Sequence, residues 1–256
     1  MRLRVLSYNI HGQRDARRAL AEVVREIAPD VAILQEGPRR LRWRHRCAAL
    51  ADDFGMVVGG GGLPALGNLL LTTLRVRVRR TWSIQFPLTP GRHLRGAAFA
   101  RCTVGSADFV IAGAHLSTDA AERPDQARRL HQACQGLDDP LIMGMDVNET
   151  ATAGGAAWPV VAGGLIDTAA VTGHGRTATF PCHDPRQRID AIFVDPRLVV
   201  TAYQVVDTAA ARRASDHLPI VTDLVLPAGD PPAGDPPAGD PPADATSARG
   251  LDKRGG

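Results

Sequence analysis

Four short polar clusters close apolar runs in this chain: Tyr8-Asn9, Gln35-Glu36, Gly144-Met145-Asp146-Val147-Asn148 and Ser215-Asp216-His217. Carboxylates, amides and an imidazole placed where strands end can converge on one divalent cation and one phosphate, the chemistry of phosphate-ester hydrolysis. Glu36 follows the apolar run 31–34, so its carboxylate is expected at a sheet rim, ionised and offering hard oxygen to Mg2+ or, as an alternative, Mn2+. Asp146 and Asn148 stand two apart. In a continuing strand both would face one side, an anion beside an amide that can orient a water and hold a phosphoryl oxygen; a turn would favour the same residue types. His217 is the candidate proton acceptor. Neighbouring side chains in extended backbone point apart, so the acid that orients His217 is expected to be Asp190, which leaves Asp216 for metal. His115, ending the run 109–114, is a second rim histidine, and Arg95, just ahead of a strand, can neutralise a nonbridging phosphate oxygen. Thr179-Phe180 and Asp167-Thr168 are expected to supply rim contacts only.

These residues need elements to hold them. Residues 3–10 and 31–35 have the composition of strands, and between them apolar positions at helical spacing over 14–27 end at Pro29. Such a β-α-β opening with parallel strands places Asn9 and Glu36 at the same, carboxyl, ends. Further strands are expected at 56–58, 67–73, 75–81, 97–104, 108–114, 141–145, 188–194, 199–206 and 218–226, with helices at 41–51 and 123–136. Many strands, few helices and hairpin-like pairs such as 97–104 with 108–114 point to a two-sheet α/β sandwich rather than one parallel sheet. Four consecutive glycines, 59–62, lack the following Gly-Lys-Ser/Thr of a nucleotide-binding loop and are expected to form a mobile loop.

The chain has 256 residues with 44% hydrophobic content, enough for a sizeable core. It contains no run of about 18 apolar residues and no signal-peptide pattern at its start, so no membrane span and a cytoplasmic location are expected. The four cysteines, Cys47, Cys102, Cys134 and Cys182, match neither a zinc knuckle nor a redox pair and are read as free thiols. From Pro227 the motif Ala-Gly-Asp-Pro-Pro occurs three times, a composition that cannot bury a core; residues 227–256 are read as a disordered tail and 1–226 as one domain. The tail holds five Asp against two Arg and the chain's one lysine, so the formal net charge of +3 becomes about +5 for 1–226. That modest basicity suits anionic substrates without choosing nucleic acid over a small ester. The arginines at 39, 40, 42, 44 and 46, with Trp43 and His45, either touch a polyanion backbone or form a solvated helix face.

With these residues in place, the chain resembles the endonuclease/exonuclease/phosphatase superfamily, which includes deoxyribonucleases, sphingomyelinases and inositol-phosphate phosphatases. Seven segments carry the likeness, in the family's order: 6–12, 34–36, 67–72, 114–116, 144–148, 188–190 and 215–217. The resemblance implies a four-layer α/β/β/α sandwich, two sheets flanked by helices, and divalent-cation-dependent inline attack by water on phosphorus. By position, Asn9, Glu36 and Asp216 look like the metal group. Asp146 and Asn148 look like the residues that bind or orient nucleophile and phosphate, Asp190 and His217 like the acid-histidine pair, and His115 like the phosphate-contacting or leaving-group-side histidine. Asn68 resembles the family's structural rim asparagine. One departure is Met145, where the family usually has glycine directly before the aspartate. The near absence of lysine argues against abasic-site repair.

The expected function is a metal-dependent hydrolase of phosphate esters, first a phosphodiesterase or nuclease. The alternatives are a phosphomonoesterase for an inositol or lipid-like phosphate and a non-catalytic binding module of the same fold. The expected partner is an anionic ester, nucleic acid included. Oligomeric state is open, and a monomer is compatible with everything above.

Overall fold

A computed structural model describes residues 1–151 and 155–227. The reading of the repetitive tail falls outside the described residues. In chain order the elements are β1 (Arg2–Asn9), α1 (Arg17–Ile27), β2 (Val31–Gln35), α2 (Trp43–Phe54), β3 (Val57–Gly61), β4 (Leu69–Thr72), β5 (Arg77–Gln85), β6 (Gly96–Val104), β7 (Ala107–His115), α3 (Arg123–Cys134), β8 (Leu141–Asp146), α4 (Ala157–Val161), β9 (Ile166–Asp167), α5 (Thr168–Val171), β10 (Asp190–Val194), β11 (Val199–Val205), α6 (Ala209–Ala214) and β12 (Ile220–Val225). One six-stranded sheet runs β11-β12-β1-β2-β4-β3 and the other β5-β6-β7-β8-β10-β9. The expected sandwich is the observed one.

Strand alternation builds its three apolar layers. In β1, Leu3 and Val5 face the opposite sheet, where they meet Ile111 of β7, Ile142 of β8 and Ile192 of β10. Leu6 and Tyr8 turn the other way, onto α1, α2 and α6. On the far side, Val110, Ala112, Met143 and Met145 pack against α3 and α4. The same alternation, carried to the strand ends, decides which polar side chains point between the sheets.

Strands β1 and β2 are parallel with Asn9 opposite Gln35, as the β-α-β reading requires. Helix α1 starts three residues later than expected because 11–13 form a short 3-10 turn in which His11, Gly12 and Gln13 all have positive φ. The glycine run is not the mobile loop expected: residues 59–61 belong to edge strand β3, paired with β4. Glycine is required there by close approach. A Cβ on Gly61 (φ 88°) would sit 2.1 Å from the Asn68 carbonyl oxygen, and one on Gly62 (φ 81°) would sit 2.6 Å from the Trp43 ring.

Position 144 sets the distance between the sheets. A Cβ on Gly144 would lie 2.8 Å from Ser7 Oγ and 3.1 Å from Ile33 Cβ. Gly144 and Asp146 share the inner face of β8, while Met145, fully buried, faces α3 and α4. The departure at Met145 therefore leaves the inter-sheet approach untouched. Gly144→Ala is expected to lower unfolding free energy by about 1–3 kcal/mol through overpacking, read as a reduced urea midpoint at unchanged slope.

Candidate active site

The inter-sheet layer is apolar along most of its length, and its polar side chains gather where β1, β2, β7 and β8 end and β10 begins. Ser7 and Asn9 on β1, Gln35 on β2, His115 on β7, Asp146 on β8 and Asp190 on β10 continue the inward-facing positions of their strands. The pairing places Asp146 opposite both His115 and Asp190. Buried polar groups must find partners, and these find one another. Gln35 donates to Ser7 Oγ at 3.3 Å and to the Gly144 carbonyl at 3.4 Å, tying the sheets together beneath the cluster.

Asp146 is the centre. Its carboxylate accepts from the Asn9 amide at 2.9 Å and from the Asn148 backbone N–H at 2.9 Å, and its Oδ2 lies 3.2 Å from His115 Nε2 and 3.7 Å from His217 Nε2. Asn148 reaches the cluster differently from the strand-period expectation. Strand β8 stops at Asp146, and Asn148 adopts φ 54° in a turn that the Asp146 carboxylate caps. The Asn148 amide then lies 2.9 Å from His115 Nε2 and donates to the Leu116 carbonyl at 2.9 Å.

His217 is 5% exposed and held through Nδ1, which donates to Asp190 Oδ2 at 2.9 Å; Nε2 is left facing Asp146 and the Asn9 amide. Asp190 is fixed in turn by the Thr179 hydroxyl, which donates to its Oδ2 at 2.6 Å. The Phe180 ring packs on the imidazole, and Ser215 donates to the Asn9 carbonyl at 2.6 Å. Thr179 and Ser215 thus have positioning contacts that no single-residue signal in the sequence separates from loop chemistry. Asp167, the other suggested rim contact, faces away: both its oxygens bind Arg188, which lies over Trp158.

Electrostatics separate the two histidines. Burial disfavours the charged His217 ring, but the Asp190 carboxylate outweighs it, with Asp146 and Asp216 adding to the effect, and the imidazolium is held up to about 10. For His115, burial and then the Arg95 guanidinium, 3.2 Å from Nδ1, both act against an added proton, so this ring is neutral. Burial raises Asp146 to about 6, against the opposing pull of His217.

Glu36, Asn68, Arg95, His115 and Asp216 all line one cleft of about 510 Å³, whose other walls include His11, Arg14, Arg39, Arg40, Arg46 and His93. Glu36 sits at φ 58° just past β2 and has no hydrogen-bond or ion-pair partner among the described residues. Asp216 is half-buried, 3.7 Å from His11 Nε2. Buried Asn68 donates to the carbonyls of Ala65 and Gly96, leaving its Oδ1 without a partner; Arg95, 8% exposed, likewise leaves Nε unpartnered. Glu36 and Asp216 both line this cleft, and carboxylate oxygens are the donors that suit a hard divalent ion. Asp146, Asp190 and His217 also present ligand atoms within 4.8 Å of one another. Their atoms are already engaged, His217 Nδ1 with Asp190 and Asp146 with the Asn9 amide and the Asn148 N–H, which fits proton handling better than metal capture.

Fold and cleft define a sandwich of the phosphoesterase type with its polar centre between the sheet ends. The chain belongs to the endonuclease/exonuclease/phosphatase family, whose model matches residues 6–217. No curated protein matches it in sequence at a significant level. Among solved structures, a family protein from Bacteroides thetaiotaomicron is 19% identical, with a TM-score of 0.72 over 89% of this chain and 98% of that one. A mannosyl-6-phosphatase from Bacteroides thetaiotaomicron VPI-5482 is 18% identical, with a TM-score of 0.70 over 88% and 100%. TDP2 from D. rerio, complexed with a single-strand DNA product, is 18% identical, with a TM-score of 0.71 over 88% and 99%. Likeness at these identities is likeness of fold.

Proposed function

We propose that this chain is a divalent-metal-dependent phosphodiesterase acting on a polyanionic ester, with residues 1–226 as its catalytic domain. One observation carries the reading: Asp146, Asn9, His115, His217 and Asp190, drawn from both sheets, interlock at the end of a cleft that also presents an unpaired Glu36 carboxylate and a buried arginine. Glu36, Asp216 and Asn9 are the residues to hold Mg2+, with Mn2+ as the alternative. When bound there, the ion supplies positive charge that polarises a phosphoryl oxygen and disfavours the extra proton on His217.

The side chains divide the remaining work. His217, oriented by Asp190, accepts at Nε2 a proton from a water that Asp146 and Asn9 position for inline attack. Arg95, His115 and the Asn148 amide offer donors to the charge that builds on the phosphoryl oxygens. With His115 Nδ1 facing the Arg95 guanidinium, a neutral ring carries its proton on Nε2, where it can be donated.

A diester or longer anion is favoured over a monoester because the cleft holds more guanidinium than one phosphate needs. The mannosyl-6-phosphatase and the DNA-bound TDP2 among the structural relatives are compatible with either class of substrate. No helix among the described residues is long and apolar enough to cross a membrane, and we read the enzyme as cytoplasmic and compatible with a monomer. The test is a hydrolysis panel of plasmid and single-stranded DNA, RNA, aryl phosphate diesters, sphingomyelin and inositol phosphates. Product formation is expected with Mg2+ or Mn2+, abolished by chelation and restored by adding the ion back. Turnover that survives exhaustive chelation would remove the metal from the mechanism, and no turnover on any ester would remove the hydrolase reading in favour of a binding module.

A further inference from the structure

The arginine run that stands out in the sequence is divided by the fold. Arg42 takes the left-handed position that starts α2, and Arg44 lies over the Trp43 ring at 4.5 Å; neither lines the cleft. Arg39, Arg40 and Arg46 do line it, joined from other segments by Arg14 and Arg95. Two of these five guanidiniums have work already. Arg95 sits against His115, and Arg39 braces the rim by donating to the carbonyls of Leu66 at 3.1 Å and Leu94 at 3.3 Å. Arg14, Arg40 and Arg46 have no side-chain hydrogen bond or ion pair among the described residues.

Charge then sets the kind of ligand. Five guanidiniums face the two carboxylates of Glu36 and Asp216. A divalent ion and the doubly charged phosphate it binds roughly cancel, so the arginine surplus stays uncompensated by a substrate with one phosphate. Nor does the cleft offer a platform for bases. Among the described residues no Phe, Tyr or Trp lines it, and Trp43 is packed against Gly62 beneath Arg44. The cleft is lined instead by guanidiniums, whose forks match phosphate oxygens in geometry and charge.

Resting on the hydrolase reading above, we propose that Arg14, Arg40 and Arg46 form a second anion site in this cleft, which takes a further phosphate of the same substrate molecule. That phosphate belongs either to the neighbouring linkage of an oligonucleotide or to a compact bis- or polyphosphorylated small molecule. The chemistry is shared, and substrate arms tell the sources apart.

Binding is measured first, on the full chain freed of metal by chelation, with inorganic tripolyphosphate and orthophosphate as calorimetric probes at fixed ionic strength. The triple variant Arg14→Ala/Arg40→Ala/Arg46→Ala is expected to bind tripolyphosphate about tenfold or more weakly, with orthophosphate affinity changed far less. Arg77→Ala/Arg79→Ala/Arg80→Ala on edge strand β5, three arginines that do not line the cleft, serves as the control for net charge and is expected to match wild type. No tripolyphosphate binding by wild type, an equal loss for both probes, or an equal loss in the control would each overturn the second site. Kinetics then separate the sources: the triple variant should raise KM and leave kcat near normal for whichever of an oligonucleotide or a small bisphosphate reaches the three arginines. The failures are distinguishable. Tripolyphosphate binding without hydrolysis of any ester sinks the hydrolase reading and leaves the anion site standing, whereas hydrolysis whose KM ignores the three arginines sinks the site and leaves the hydrolase.

Discussion

Purified His217→Ala is expected to lose about 10²- to 10⁴-fold in turnover on the true substrate while its far-UV circular dichroism and cooperative melt stay native-like. The geometry gives the reason for so large an effect. The imidazole is buried, its Nδ1 is committed to Asp190, and its Nε2 is the one ring atom aimed at Asp146 and Asn9. Losing the ring removes the proton acceptor outright. Asp190→Asn should act through the same atom, since an amide in place of the carboxylate no longer holds up the imidazolium or fixes the Nδ1–H tautomer. The two changes are therefore expected to be strongly non-additive, with the double variant about as slow as His217→Ala alone. Independent losses that multiply in the double variant would show that Asp190 does not act through His217. Near-normal kcat in His217→Ala would remove the histidine from proton transfer altogether.

Much of this arrangement was legible in the chain because it depends on local rules that tertiary packing leaves intact. A β-α-β opening with parallel strands places Asn9 and Glu36 at the same strand ends, and the strands are parallel with Asn9 opposite Gln35, the residue before Glu36. Adjacent residues in extended backbone point apart, which separates Asp190 from Asp216 as partner for His217, and Asp190 is the carboxylate at hydrogen-bond distance. The illegible parts are those that only non-local contact decides. Asn148 reaches His115 by a left-handed turn rather than by strand period, because Asp146 spends one carboxylate oxygen on the turn itself. Glycines 59–62 look like loop in any local reading, yet the approach of the Asn68 carbonyl to Gly61 and of Trp43 to Gly62 makes small residues a requirement in and just past the edge strand. Thr179, expected only as a rim contact, becomes a support for Asp190 once the fold sets its hydroxyl against that carboxylate.

Glu36→Gln is expected to raise the Mg2+ concentration for half-maximal activity by about 100-fold or more, given that even partners outside the first coordination shell are worth about 10–100-fold in metal affinity. The substitution is nearly isosteric and exchanges a charge for an amide. Because Glu36 has no hydrogen-bond or ion-pair partner among the described residues, no folded-state contact is given up and stability should hardly change. Mn2+ binding followed by electron paramagnetic resonance reads the same loss without turnover. Comparison with Asp190→Asn makes the result decisive between two places for the ion. If Glu36, Asp216 and Asn9 hold it, Glu36→Gln weakens Mn2+ binding and Asp190→Asn leaves it close to wild type while abolishing most turnover. If the close-set Asp146, Asp190 and His217 hold it instead, the order reverses. In that case His217, spending a nitrogen on the ion, is no longer available as the proton acceptor. The metal titration thus bears on the base as directly as on the ligands: a site that keeps its cation on Glu36 is the one that leaves the His217 Nε2 atom free to take a proton from water.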